Sequence, residues 1–167
     1  RRWTEIASAE AAAWEADFLG HAPGGGESLA ALRRRQADWL DDAGDLEGVA
    51  ALFAKARIKT GEGPVIEGSA PMLALWRANV RLYPCGTPRT KHVVTNPIVE
   101  IDEDAGTATC RSYYTVLQAT PDLPLQAICA GRYHDAFVRE DGDWRFAERD
   151  YSLLDLVGDV SQHLLLP

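Results

Sequence analysis

Ala136-Phe137-Val138-Arg139-Glu140-Asp141-Gly142-Asp143-Trp144-Arg145-Phe146 decides the fold. Alternating apolar and polar residues run up to an Asp-Gly pair and resume beyond it, which is the pattern of two antiparallel strands joined by a tight hairpin. Working outward, the same chemistry recurs. Pro121-Asp122-Leu123-Pro124 and Glu103-Asp104-Ala105-Gly106 are turn signals between segments rich in β-branched and aromatic residues. Four long strands are therefore expected, at 91–102, 107–120, 125–139 and 144–153, forming an antiparallel meander.

Upstream of Pro84 the period changes. Leu29, Leu32, Gln36, Trp39, Leu40 and Ala43 recur every three to four residues and predict a helix over 28–43 that ends near Gly44. A second follows over 45–54, with Asp45 as its cap, Glu47 in its first turn and an apolar stripe of Leu46, Val49, Ala50 and Phe53. Arg57 to Gly61 and Val65 to Gly68 read as two short extended pieces, and Ser69-Ala70-Pro71 opens a helix over 70–83. Helices first and strands after imply an α+β domain whose curved antiparallel sheet is covered on one face by helices. An additional amphipathic helix is expected over 3–19, set apart by His21-Ala22-Pro23-Gly24-Gly25-Gly26. The expected division is thus an N-terminal helix and linker over 1–27 and the main domain over 28–167.

Composition narrows the function. With 167 residues the chain has the length of one ordinary domain, and 46 % apolar and 25 % charged residues mark a globular protein. Seventeen basic against twenty-five acidic residues leave a net charge of -8, which argues against nucleic acid or an anionic membrane as partner. Arg33-Arg34-Arg35 is the one dense basic run, and it fits a solvated helix face. No apolar run reaches membrane-spanning length. The three cysteines Cys85, Cys110 and Cys129 are odd in number and show no CxxC spacing, so neither a disulfide scaffold nor a structural zinc site is expected, and a reducing, cytoplasmic setting fits. The chain begins at Arg1 rather than Met, which is compatible with an upstream segment. No phosphate loop, dinucleotide fingerprint, nucleophile elbow or metal-spaced histidine pair is present, and no cofactor or metal is expected.

The chemistry rests on a few side chains. At about 100° per residue, Asp42 falls on the border between the buried and solvated faces of helix 28–43. There it could end the helix in solvent, or look into the hollow of the sheet toward His92 in His92-Val93-Val94-Thr95-Asn96. His134, between Tyr133 and Asp135, cannot form a local dyad with Asp135, because neighbours on a strand point to opposite faces.

Asp42-Ala43-Gly44-Asp45 with Val49-Ala50-Ala51-Leu52-Phe53, His92-x-x-Thr95-Asn96, Gly131-Arg132-Tyr133-His134-Asp135 and Asp141-Gly142-Asp143-Trp144-Arg145-Phe146 occur in an order that resembles the SnoaL-like branch of the nuclear transport factor 2-like superfamily. The resemblance spans Leu29 to about His163 and implies a cone-shaped roll of the cystatin-like kind. Scytalone dehydratase, a dehydrochlorinase, polyketide cyclases, ketosteroid isomerase and small subunits of ring-hydroxylating dioxygenases share that superfamily. The dehydratase and dehydrochlorinase members imply an Asp-His pair at Asp42 and His92, with Arg149 assisting the leaving group. Trp39, Tyr113, Tyr114, Tyr133 and His134 are the candidate pocket residues. The implied activity is a lyase or isomerase reaction, by elimination, dehydration or cyclisation, on a small, mostly apolar molecule. A non-catalytic binding module or a dioxygenase-type small subunit are the alternatives. A homo-oligomer, dimer or trimer, is expected because aromatics on both faces of long strands leave apolar surface uncovered.

Overall fold

The computed structural model describes residues 44–165. The expected helices at 3–19 and 28–43, the linker at 21–26, and with them Trp39 and Asp42, lie outside the described residues.

Helix α1 spans Leu46–Leu52, and its start is set by Asp45, whose carboxylate accepts a hydrogen bond from Gly48 N at 2.8 Å. Strands β1 (Arg57–Lys59) and β2 (Ile66–Glu67) lead to helix α2, Ser69–Asn79. Pro71 sits in the first turn of α2, where a missing N–H costs no helical bond. This helix stops four residues before the expected Tyr83, for a tertiary reason. Val80 is extended and bridges Leu164, and Arg81 N donates to His163 O at 2.8 Å, so the C-terminal segment takes over the backbone groups that another helical turn would use.

The long strands are β3 (Thr90–Asp102), β4 (Thr107–Thr120), β5 (Leu123–Glu140) and β6 (Asp143–Asp150), followed by β7 (Leu154–Val157). They form a curved, unclosed sheet in the order β2-β1-β6-β5-β4-β3, with β7 pairing β5 beside the end of β6. Antiparallel pairing dominates, as expected. One pairing differs: β1 lies parallel to β6, so the sheet is mixed, and the two short pieces about the Gly-Pro turn belong to it rather than standing apart.

Turn chemistry accounts for the hairpins. Asp141 and Gly142 both have positive φ, 53° and 90°, as the two-residue β5–β6 loop requires. The β4–β5 loop is tighter than expected, because Thr120 already pairs with Leu123 and only Pro121 and Asp122 turn the chain. Two irregularities elsewhere reset which residues face inward. In β3 the register jumps between Thr95 and Ile98 at Asn96, which has φ 50°. His92 and Val99 are an odd number of positions apart and would face opposite ways on a regular strand, yet both turn to the inner face. In β6 a second shift, opposite Ala136 and Phe137, places Arg149 inward where Glu148 would have followed Phe146.

Both helices pack on this inner face. Val49 and Phe53 of the α1 region and Met72 of α2 join Ala108, Cys110, Phe137, Trp144 and Phe146 in one buried cluster. Phe146 is its centre, with ring centroids 4.7 Å from Phe53 and 4.8 Å from Phe137. The outer face carries Val93, Ile98 and Tyr113, all substantially exposed.

Candidate active site

Beside the aromatic cluster the inner face opens into a cavity of about 460 Å³ between the sheet, α2 and the C-terminal turn. Its floor follows from strand register. His92 of β3 lies opposite Val116 of β4, which lies opposite Cys129 of β5, so these three side chains form one row across the sheet. In the next row Tyr114 lies opposite Gly131. A side chain at Gly131 would sit 2.8 Å from the Tyr114 hydroxyl and 2.4 Å from Leu153 O, so the glycine makes room both for the phenol and for the close approach of β7. Tyr133 stacks on Tyr114 with centroids 4.2 Å apart, and Tyr151 meets Tyr133 edge-on at 5.8 Å. Leu75 and Trp76 of α2 form part of the opposing wall.

Behind this tyrosine wall lies a buried ion pair. Arg149 Nε and Nη2 donate to the two carboxylate oxygens of Asp135, both at 2.7 Å, and the two side chains are 1 % and 0 % exposed. The guanidinium carbon lies 4.2 Å from the Tyr133 ring centre, 4.7 Å from Phe146 and 5.6 Å from Tyr151. Burial opposes the charge on Arg149, but the adjacent Asp135 carboxylate outweighs it and holds the group above the usual arginine range. The guanidinium is therefore a fixed cation stacked against the ring that borders the cavity.

The expected site residues separate accordingly. His92, Tyr114 and Tyr133 border one cavity. Tyr113 does not, because strand alternation puts it on the outer face, where it is 53 % exposed. His134 likewise points outward, opposite Arg111. Arg149 is not among the described cavity-lining residues; it reaches the site through Tyr133 and Tyr151. Sequence reading missed Tyr151, His163, Cys129 and Asp135. Asp135 and Cys129 carried a usable signal, since alternation puts both on the same face as Tyr133 and Phe137.

The wall is neutral over a wide pH range. Burial pushes the Tyr114 phenol up to about 12 and carries Tyr133 well above the ordinary phenol value. Burial also raises Tyr151, against the pull of Arg149, and raises the Cys129 thiol. A folded-state value above the unfolded one means stability that is complete below the ordinary phenol range and lost as pH rises through the folded value. Unfolding is therefore expected between about pH 10 and 12, with tyrosinate absorbance from these three residues appearing only as circular dichroism is lost. Reversible titration of all five tyrosines near the ordinary phenol value in folded protein would contradict this burial.

Among the described residues no group of three or more His, Cys, Asp or Glu side chains is arranged to hold a metal ion. No described helix is long and apolar enough to cross a membrane.

Comparison with known proteins agrees with the architecture. The family model for the SnoaL-like domain matches residues 27–150. Among solved structures, Rv3472 from Mycobacterium tuberculosis, described as of unknown function, is 28 % identical, with a TM-score of 0.59 over 80 % of this chain and 72 % of that one. A nuclear transport factor 2-like protein with a cystatin-like fold from Novosphingobium aromaticivorans is 20 % identical, with a TM-score of 0.58 over 78 % and 81 % of the two chains. A protein from the same organism named for scytalone dehydratase is 21 % identical, with a TM-score of 0.55 over 71 % and 76 %. No curated protein matches the chain. Helices on one face of a curved sheet, an apolar cavity beneath them and the matching family model over most of the chain together make it a member of the SnoaL-like domain family, with the cystatin-like fold also seen in a nuclear transport factor 2-like protein.

Proposed function

We propose that the protein is a cofactor-independent lyase or isomerase that works by elimination, dehydration or cyclisation on a small, mostly apolar molecule. His92 is the base in this reading, and Asp42 is the carboxylate that orients it. The observation that carries it is the position of His92, on the wall of an apolar cavity that it shares with the neutral phenols of Tyr114, Tyr133 and Tyr151. An imidazole can take a proton from carbon near neutral pH, and a carboxylate on its second nitrogen fixes the tautomer and stabilises the imidazolium. Protonated phenols on the same wall can donate hydrogen bonds to an oxygen that gains negative charge. The cavity volume, about 460 Å³, falls in the range that takes a small ligand. Arg149 serves here as a positioning residue, stacked on Tyr133 and beside Tyr151.

The test uses the aldol of benzaldehyde and acetone, a β-hydroxy ketone with an acidic C–H next to its carbonyl. Dehydration gives benzylideneacetone, followed by its ultraviolet absorbance. His92→Ala is expected to lower kcat/KM by about 10²- to 10⁴-fold without loss of fold. Asp42→Asn should lower it by disturbing the imidazole's orientation, and wild-type activity should fall on the acid side as the base protonates. An unchanged rate in His92→Ala would overturn the assignment. Binding of benzylideneacetone without turnover by the wild-type protein would move the reading to a binding module.

A further inference from the structure

We infer that His163 is a second proton-transfer residue of this cavity: the acid that protonates the departing oxygen while His92 takes the proton from carbon. The inference rests on the elimination reading above and assigns the other half of its proton inventory.

His163 lies on the C-terminal turn and borders the same cavity as His92, beside Leu164. The turn is strapped down on both sides of it. Leu164 bridges Val80, Leu165 N donates to Asn79 O at 2.7 Å, and His163 N donates to Val160 O at 2.9 Å. One residue earlier, Gln162 O accepts from the Tyr83 hydroxyl at 2.6 Å and from Nε2 of the buried Gln118 at 3.1 Å. All these bonds are made by the backbone around the imidazole. The ring is therefore carried into the cavity wall by a frame anchored to α2, to β4 and to the loop before β3. His92 arrives separately, on the sheet.

Chemistry singles out these two rings. The cavity that His163 borders is also lined by Asn79 of α2, His92 on β3, Tyr114 on β4, Cys129 and Tyr133 on β5, and Tyr151 after β6, while Arg81 meets His163 through its backbone N–H. None of the described cavity-lining side chains is a Lys, Arg, Asp or Glu. The phenols and the thiol are held neutral by burial. Imidazole is the side chain whose charge changes between about pH 5 and 8, so among the described lining residues His92 and His163 are the pair suited to exchange protons with a bound molecule. One base and one acid of the same chemical type, on different elements, meet what a dehydration asks. Neutral His92 removes H⁺ from carbon, the C–H electron pair becomes the new C=C bond, the C–O bond breaks, and its oxygen takes H⁺ from protonated His163 and leaves as water. The products are the alkene, water, protonated His92 and neutral His163. Proton exchange with solvent after release restores both rings.

The experiment is the pH profile of kcat/KM for the benzaldehyde–acetone aldol in wild type, His163→Gln and His163→Gly. The wild-type profile should be bell-shaped, with its acid limb from the base and its alkaline limb from the acid. His163→Gln should lower the plateau about 10²-fold, keep the acid limb, and lose the alkaline one. A merely structural histidine would leave the shape of the profile alone. His163→Gly should regain activity with free imidazole in the buffer, which covers the case in which the glutamine disturbs the strap. A bell-shaped profile at full rate in His163→Gln, or no rescue of His163→Gly by imidazole, overturns the assignment while the loss of activity in His92→Ala keeps the elimination reading. Equal rates in wild type and His92→Ala would instead remove the elimination reading and this proposal together.

Discussion

Asp135→Ala is expected to cost about 3–5 kcal/mol of folding stability, far more than any exposed ion pair of the molecule would. Removal of the carboxylate leaves Arg149 buried and charged, because a guanidinium does not shed its proton in a protein. The partner's removal thus exposes the full cost of desolvating a cation, which the two 2.7 Å bonds now offset. The surrounding rings of Phe53, Tyr133, Phe146 and Tyr151 attract the cation, and the Tyr151 hydroxyl shares a hydrogen bond with it, but none of these groups carries the negative charge that Asp135 supplies. Arg149→Met is expected to cost somewhat less, since an isolated carboxylate can protonate. The double variant Asp135→Leu with Arg149→Met should recover much of the loss. Urea unfolding of the four proteins measures this, and a cost below about 1 kcal/mol for Asp135→Ala would mean the pair is not the buried, mutually dependent unit described. The same variants report on the site. If Arg149 holds Tyr133 and Tyr151 in place, Arg149→Met should also lower activity on the aldol even where the fold survives.

Phe53→Ala is expected to cost a further 3–5 kcal/mol or so, the usual penalty for emptying a buried aromatic site. Phe53 is completely buried at the end of α1 and joins three elements. Its ring meets Trp76 of α2 edge-on at 6.0 Å and Phe146 of β6 at 4.7 Å. A helix of seven residues has no independent stability, so α1 exists because its apolar stripe is buried, and Phe53 is the largest part of that contact. Its loss should also weaken the near-ultraviolet signal of Trp76. Leu82→Ala is the control, because Leu82 is 45 % exposed and its truncation should stay within about 0.5 kcal/mol. Equal unfolding midpoints for the two variants would show that the helix is not held through Phe53.

Much of the architecture was legible because it depends on local chemistry. The Asp141-Gly142 pair has the left-handed backbone that a two-residue hairpin demands, and few other dipeptides adopt it as readily. In β4 Ala108, Cys110, Ser112, Tyr114 and Val116 are buried in turn, an alternation that the choice of both Tyr113 and Tyr114 for the pocket passed over. The Asp45 cap needed only a carboxylate placed before a free backbone N–H. His92 was legible as a residue of the first long strand, and in the structure it lines the cavity. The partner proposed for it, Asp42, lies outside the described residues.

Other features depend on groups distant in sequence, and no local pattern announces them. Arg149 was expected at the leaving group. A register shift in β6 turns it inward against Asp135, and that shift exists only because β5 and β6 pair with unequal spacing. His163 follows Ser161 and Gln162 in the C-terminal segment, and no local pattern sets it apart. It becomes a cavity residue because the end of α2 and the C-terminal turn exchange backbone hydrogen bonds. The parallel pairing of β1 with β6 likewise required the whole sheet to be in place. Hairpins, caps and strand faces follow from the conformational preferences of neighbouring residues, so the sequence by itself determined them. The cavity, its two imidazoles and the buried ion pair arise where bulges and long-range pairing choose which side chains share a face, and only the tertiary structure decides that, because a shift of one residue reverses every side chain beyond it.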